Sequence, residues 1–573
     1  MSATKNKTTG SKTSLKTPLL QQNRWQYIIP LLLAGLCILM YYASLKNAFL
    51  AYDDPDNVLN NMLIRKISGA NFIRYFTTPL IYMYTPFVYI SFAFDYRIAG
   101  LNPMMYHATN LILHICNTLL VFYAIRALTK RTDLSIISAL LFACSPLNVD
   151  SVAWISTRGT LLFTFFFLLS IIGYVVYTET KRTRFLVFSI IAFLFSCFSK
   201  STAITLPLIL LVIDLYTTQK ITRRALLKKI PYFVVAVIFG TIALFLRTDT
   251  GVTHAVANFN YLDRFFMFTY SIDMFLLKLA VPFNISAINT YPAKLNGLLP
   301  TIYYFSPIML AGIVFCVFKF AKNRNALLCA LLIFMITLSL NLLPLLEDGY
   351  LASRYAYLPS VGFGLFIALL YAELEKTKAY LKFNKVFMIL FVMIMLMFSF
   401  ISYQRTRVWN NTFSLFNDVI EKNADNVFAY NSRGIAKYEK KDLDGSIADF
   451  SKAVKINPSY DGAYYNRAIS YYESSQTELA LNDYDKAIVL NTNFAKAYDG
   501  RGILYMETLN KLPEAISDFT NAVKINPDFA QAYYNRGVAY AKTNNFDKAC
   551  SDWKQVQRLG YDRANEFIEK YCK

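Results

Sequence analysis

At 573 residues the chain has room for several domains, and 55% of it is apolar, with 47 Phe and 41 Tyr. That composition excludes an ordinary soluble enzyme, and repeated long apolar runs make a multi-span membrane protein the expected class. The net charge of +21 is uneven: residues 1–423 carry 38 Lys/Arg against 17 Asp/Glu, whereas residues 424–573 carry 20 of each. The excess belongs to the membrane part, where basic loops face the cytoplasm and basic groups can hold anionic headgroups, so no nucleic-acid partner is expected.

Residues 1–24 are polar and basic and are expected to form a cytoplasmic N-terminus. The apolar run Tyr27–Ser44 reads as an uncleaved first span, because no small-x-small cleavage site follows it. Just beyond it stands Phe49-Leu-Ala-Tyr-Asp53-Asp54-Pro55-Asp56. Acids crowded against a span end either face water there or carry out chemistry. A long outer loop, 46–105, follows, and its aromatic tail Tyr82–Ala99 is expected to lie along the membrane surface.

Further spans are expected near 108–128, 134–153, 159–178, 185–199, 202–218, 231–247, 303–320, 326–344, 356–373 and 386–403. The turns Lys130-Arg131, Lys181 to Arg184, Lys220 to Lys229, Lys319 to Arg324 and Lys376 to Lys385 then fall on one side, and the C-terminal tail on the other. The segment Phe265–Pro282 would break the alternation and is expected to be re-entrant or interfacial. These assignments give a membrane domain over 25–408, a linker over 409–426 and a soluble domain over 427–573.

The soluble domain is repetitive. Ala429-Tyr-Asn-Ser-Arg433-Gly, Ala463-Tyr-Tyr-Asn-Arg467-Ala, Ala497-Tyr-Asp-Gly-Arg501-Gly and Ala532-Tyr-Tyr-Asn-Arg536-Gly recur in step, and Asp449, Asp483, Asp518 and Asp552 recur in the second half of each unit. This is the 34-residue tetratricopeptide (TPR) period, in which paired helices stack into a superhelix. Four repeats and a capping helix near 563–572 are expected, with the recurring Arg and Asp pairing helices inside the stack. Such a scaffold binds peptides or protein surfaces. The fold class is therefore all-α: a polytopic helix bundle followed by an α-solenoid. Six Cys lie in apolar runs; Cys550 and Cys572 lie in the tail and pair if it faces an oxidising compartment. No Cys or His spacing calls for zinc, and no metal or other cofactor is expected.

Polar residues near the spans concentrate on the outer side: Asp53 and Asp54; Tyr106-His107, Asn110 and His114; Asp150 and Arg158; Lys200; and Glu347-Asp348 with Arg354-Tyr355. Acids and separated cations on one face suit transfer chemistry on an anionic lipid. A carboxylate deprotonates an acceptor hydroxyl, and Arg and Lys stabilise a phosphate leaving group.

The chain resembles the family of transmembrane and TPR-repeat-containing glycosyltransferases, members of the glycosyltransferase C superfamily related to protein O-mannosyltransferases. The residues that carry the likeness are Tyr52-Asp53-Asp54, Gly100-Leu-Asn-Pro103 with Tyr106-His107, Asn110 and His114, Ser145 to Trp154 with Arg158, Ser199-Lys200 to Pro207, and Ser353-Arg354-Tyr355 to Pro359, followed by the TPR tail. The resemblance implies inverting transfer of one sugar from a polyprenyl-phosphate carrier to an acceptor hydroxyl of a protein or glycan on the periplasmic or lumenal face. It implies Asp53 or Asp54 as general base, with a lean to Asp54. Arg158, Lys200 and Arg354 are candidates for the lipid phosphate, and His107, Asp150 and Tyr355 for other substrate contacts. One departure stands out. The family usually has His-Pro-x-His-x-Glu where this chain has Ser145-Pro146-Leu147-Asn148-Val149-Asp150. Any role of those imidazoles is absent or replaced here. The competing expectation is a catalytically degenerate scaffold whose TPR tail organises an envelope complex. A bacterial inner membrane with the repeats in the periplasm is the expected location, and the endoplasmic reticulum membrane is the alternative.

Overall fold

The computed structural model describes residues 25–79, 83–248, 259–290, 294, 296–342 and 350–572. The basic stretch 1–24, Tyr82 and the pair Glu347-Asp348 lie outside them. Helix dominates because segments in hydrocarbon must pair their own backbone groups.

The membrane part opens with α1 (Trp25–Tyr41), followed in the outer loop by α2 (Gly69–Thr77) and α3 (Pro86–Ala99). Next come α4 (Pro103–Thr129), α5 (Thr132–Cys144), α6 (Val149–Ala153), α7 (Arg158–Thr180), α8 (Thr183–Cys197), α9 (Leu206–Thr218), α10 (Arg223–Leu227) and α11 (Ile230–Thr248). Then follow α12 (Tyr261–Ala280), α13 (Thr301–Phe320), α14 (Arg324–Leu342), α15 (Pro359–Leu374) and α16 (Lys378–Val408). Two short strands, β1 (Asn289–Thr290) and β2 (Tyr350–Leu351), pair antiparallel.

Among the described residues, 7 helical segments are long and apolar enough to cross a membrane, or 8 if the bent α5–α6 pair counts as one span. That pair bends by 50° at Pro146, whose ring removes a helical donor and holds Ser145 extended. α8, the 230–246 part of α11 and α15 are shorter apolar helices. Every expected span is thus occupied by an apolar helix, and the chain is a multi-pass membrane protein. The expected interfacial segment 265–282 falls in α12, which buries Asp263, Asp273 and Lys278 and is not among the candidate spans. The loop tail forms α3, which buries Tyr89, Phe92 and Asp95 while leaving Phe94 and Ile98 exposed.

The two ends of the bundle differ chemically. Arg131 at the α4–α5 turn forks onto Glu375 past α15, at 2.7 and 2.8 Å. At that end too, Lys229 pairs with Asp214 and donates to the Tyr174 hydroxyl. The opposite end carries the acidic corner.

The expected linker 409–426 contains a helix of its own, α17 (Thr412–Lys422), capped by the Asn411 side chain. Four helix pairs follow: α18 (Val427–Glu439) with α19 (Leu443–Ile456), α20 (Asp461–Glu473) with α21 (Thr477–Leu490), α22 (Ala495–Glu507) with α23 (Leu512–Ile525), and α24 (Ala530–Lys542) with α25 (Phe546–Arg558). The cap is α26 (Asn565–Tyr571), tied back to α25 by the Cys550–Cys572 disulfide.

Within each pair the recurring Arg forks onto the recurring Asp: Arg433 on Asp449, Arg467 on Asp483, Arg501 on Asp518 and Arg536 on Asp552, all between 2.6 and 2.8 Å. Two parallel charge-assisted bonds fix orientation as well as distance. Small residues let the paired helices approach. A Cβ on Gly434, Gly502 or Gly537 would stand 2.5–2.7 Å from Phe450, Phe519 or Trp553. In the second pair Ala468 fills that position, and the Tyr484 ring packs against Gly500 of the next repeat instead.

Gly537→Ala is therefore expected to destabilise the repeat domain by about 1–3 kcal/mol through overpacking on Trp553. At Gly462 an added Cβ meets nothing nearer than 3.6 Å, so Gly462→Ala should leave stability equal or slightly higher. Paired thermal melts of the two variants would separate these outcomes.

Candidate active site at the acidic corner

The segment from Trp154 to Thr160 organises this end of the bundle. It leaves α6, turns through Ile155–Thr157 and enters α7; Arg158 lies within it, and Asp54, Lys200 and Arg354 each contact it.

Asp54 is 1% exposed. Its Oδ2 accepts the Leu50 N–H at 2.8 Å, and its Oδ1 accepts the Ser156 N–H at 3.2 Å together with the Ser156 hydroxyl. The carboxylate thus closes its own loop and pins it to the start of α7. Burial pushes its pKa up to about 6, against the pull of the Leu50 and Ser156 hydrogen bonds, and the neighbouring Asp53 charge adds to the rise. Asp53 differs: it is half-buried, and its carbonyl accepts from the Asn57 N–H and Nδ2, both at 3.0 Å. Asp54 is thus engaged on both oxygens and almost fully buried, whereas Asp53 keeps part of its surface exposed.

Of the three expected phosphate-binding cations, two stay half-buried beside this segment. Lys200 Nζ donates to the Thr160 hydroxyl at 3.1 Å. The Ser199 carbonyl lies 3.1 Å from where a Cβ on Gly159 would stand, so glycine permits that close approach. The Arg354 guanidinium lies 5.0 Å from the Trp154 ring centre and 5.3 Å from that of Tyr355. Arg158 is different, at 0% exposure. Its donors go to Asp95 Oδ2 (2.8 Å), the Tyr106 carbonyl (2.9 Å), Asn110 Oδ1 and the Ser91 hydroxyl. With every donor group matched inside the protein, Arg158 joins α7 to α3 and α4 and is part of the frame.

Trp154 is the aromatic centre. Tyr52 stacks on it at 4.8 Å and Trp409 at 5.6 Å, while Tyr52 also meets Phe416 and Phe428 edge-on. Asp150 Oδ1 accepts the Trp409 indole N–H at 3.0 Å. Two hydrogen bonds from backbone N–H groups, Ala48 to the Asn410 carbonyl and Ala51 to the Thr412 hydroxyl, both 2.9 Å, attach the acidic loop to the segment that leads into the repeats. Neither Trp409 nor Ser156 stands out in the sequence; a Trp just past the last apolar run was the only available signal.

The remaining expected residues are more internal. His107 is 1% exposed, with the backbone of Asn47 and Ala48 alongside, and neither ring nitrogen makes a hydrogen bond to the described residues. Tyr355 packs into a secondary core with Ile272, Phe275 and Phe334. Asn148 Nδ2 donates to the Phe142 carbonyl at 2.8 Å and to Ser360 Oγ at 3.3 Å, holding the α5–α6 bend. Among the described residues, no group of three or more His, Cys, Asp or Glu is placed to hold a metal ion.

Comparison with known proteins agrees with this layout. Residues 434–475 and 509–544 match the TPR repeat family, and residues 530–559 match the tetratricopeptide repeat family. The chain is 23% identical over 481 residues, 74% of its length, to human protein O-mannosyl-transferase TMTC3. It is 24% identical over 460 residues, 75% of its length, to a protein O-mannosyl-transferase of Caenorhabditis elegans. Over 206 residues, 32% of the chain, it is 30% identical to mouse protein O-mannosyl-transferase TMTC1. It spans 51%, 63% and 22% of those relatives respectively. The crystal structure of MamA is similar over 27% of this chain and 88% of that one, at 24% identity and a TM-score of 0.24.

The raised pKa of Asp54 makes a testable stability statement. Above the unfolded-state value of about 4, the unfolded chain binds fewer protons than the native one, so the Asp54 contribution falls as pH rises towards 6 and is flat beyond it. The swing is on the order of 3 kcal/mol at most. Asp54→Asn lacks it. Its melting temperature relative to the parent should therefore rise between pH 4 and pH 7, and a pH-independent difference would contradict the assignment.

Proposed function

Because this chain is a relative of the transmembrane and TPR-containing protein O-mannosyl-transferases, we propose that it is an integral membrane glycosyltransferase. It moves one sugar, with inversion, from a polyprenyl-phosphate carrier to a hydroxyl of a protein acceptor held by its repeats. The observation that carries this reading is the acid pair at one end of the bundle, flanked by Lys200 and Arg354.

In the proposed reaction Asp53 is the general base. It takes the proton of the acceptor hydroxyl while that oxygen attacks the anomeric carbon, and the bond to the carrier phosphate breaks on the opposite side of the sugar. Lys200 and Arg354 stabilise the charge that collects on the departing phosphate. Asp54 positions the base: with both oxygens engaged and almost no exposure, it holds the loop on which Asp53 stands. This reverses the lean towards Asp54 and rests on access, which a base needs before its pKa matters. Arg158 is assigned to the frame and takes no part in donor binding. His107, Asp150 and Tyr355 shape the site from behind.

The Cys550–Cys572 bond supports a repeat domain in an oxidising compartment. We assign that compartment to the periplasm of a bacterial inner membrane, with the endoplasmic reticulum lumen as its eukaryotic counterpart. The scaffold alternative draws on Asn148, which serves packing at a position where the family usually carries His.

The two readings separate on one assay, transfer of sugar from a polyprenyl-phosphate donor by protein in liposomes. Asp53→Asn should lower kcat by roughly 10²–10⁴-fold with an unchanged melting temperature, whereas Asp54→Asn should lower activity and also alter stability. Full transfer by Asp53→Asn would remove the base assignment, and no transfer by the parent protein would favour the scaffold.

A further inference from the structure

Where the chain leaves its last apolar helix, a second concentration of buried charge is found. Arg405, in the last turn of α16, is 5% exposed. Its Nη1 donates to Asp418 Oδ2 at 2.6 Å, but Nη2 stands 3.7 Å from Asp150 Oδ1, beyond hydrogen-bond distance. Among the described residues neither Nε nor Nη2 meets an acceptor. Lys278, from the last turn of α12 and 8% exposed, points its ammonium at the Asn284 carbonyl (3.2 Å) and Asn289 Oδ1 (3.3 Å). Lys422, at the end of α17, donates to the Ile285 carbonyl at 2.6 Å and pairs with Asp418. Burial, then Arg405 and Lys422, press the Lys278 ammonium down to about 8, so the three cations feel one another.

Three cations from α12, α16 and α17 thus converge on two carboxylates, Asp150 and Asp418. Among the described residues three cations meet two carboxylates, and two guanidinium donor groups are left over. Arg405 is paired with Asp418, but donor groups left unmet on a buried guanidinium are costly, and an anion that accepts from them completes the arrangement. A planar Arg donor edge beside two point-charge ammonium groups suits a tetrahedral oxyanion. The end of a spanning helix is also the depth at which lipid headgroups lie.

We propose that Arg405, Lys278 and Lys422 form a site for a phosphate group, with Arg405 Nε and Nη2 donating to its oxygens and the two lysines matching its charge. Lys278 and Arg405 belong to the membrane domain, whereas Lys422 lies on the helix that leads into the repeats. An occupied site therefore clamps α17 onto the bundle. The phosphate comes from a membrane lipid headgroup or from free phosphate. The proposal does not rest on the transferase reading, since it concerns binding and the attachment of the two domains.

The test uses the full chain in neutral detergent micelles, with thermal unfolding followed in two titrations. One adds inorganic phosphate against chloride at matched ionic strength. The other adds phosphatidylglycerol against diacylglycerol. The parent protein should be stabilised by a phosphate source, and the apparent affinity should fall at least about tenfold in Arg405→Lys, which keeps the charge but loses the fork, and in the Lys278→Met/Lys422→Met pair. A response to phosphatidylglycerol alone assigns the site to a lipid phosphate, and a response to inorganic phosphate assigns it to the free ion. Either supports the proposal. Equal stabilisation of parent and variants, or none with either source, overturns it. If Arg405→Lys does not fold, the double lysine variant carries the same comparison.

Discussion

A carboxylate buried at the end of a helix bundle has to be met by donors, and the way Asp54 is met determines much of this molecule. Its oxygens take the Leu50 and Ser156 N–H groups and the Ser156 hydroxyl. Those bonds fold the outer loop back on itself and lock it to the entrance of α7. Once the lock is made, Tyr52 lies flat on Trp154, and Asp53 keeps part of its surface exposed. Removing any of these donors would leave a buried charge short of partners, which is why the corner tolerates little movement.

The same entrance collects partners from most of the bundle. Arg158 draws α3 and α4 to it, Lys200 comes from the turn before α9, and Arg354 from the turn before α15. Trp409 brings in the end of α16, so the base of the repeat domain is built onto the same aromatic stack as the acidic loop. Membrane body and solenoid are therefore coupled at the point where the chemistry is proposed, through buried rings and carboxylates.

The architecture was legible in the sequence because its signals are strong and local. Long apolar runs read as membrane-spanning helices, and the Arg–Asp pairs of the repeats recur too regularly to be anything but internal ties. The α5–α6 bend was marked by Pro146. Individual roles were harder to read, because they depend on pairings far apart in the chain. Arg158 and Arg354 are alike as letters, yet Asp95, Asn110 and Ser91 enclose the first and leave the second half-exposed. Asp53 and Asp54 are adjacent in sequence, and only Ser156, 102 positions on from Asp54, separates their tasks. Residues 409–426 read as a linker, but Trp409, Leu415, Phe416 and Val419 are buried there, in one core with residues of the bundle and Ala429 of the first repeat.

The central claim is that this corner glycosylates proteins, and mass spectrometry of compartment-exposed proteins from cells with and without the chain tests it most directly. The account predicts peptides with a monosaccharide on Ser or Thr that vanish on deletion, return with the parent protein and do not return with Asp53→Asn. An unchanged set of glycopeptides on deletion, or full restoration by Asp53→Asn, would contradict it.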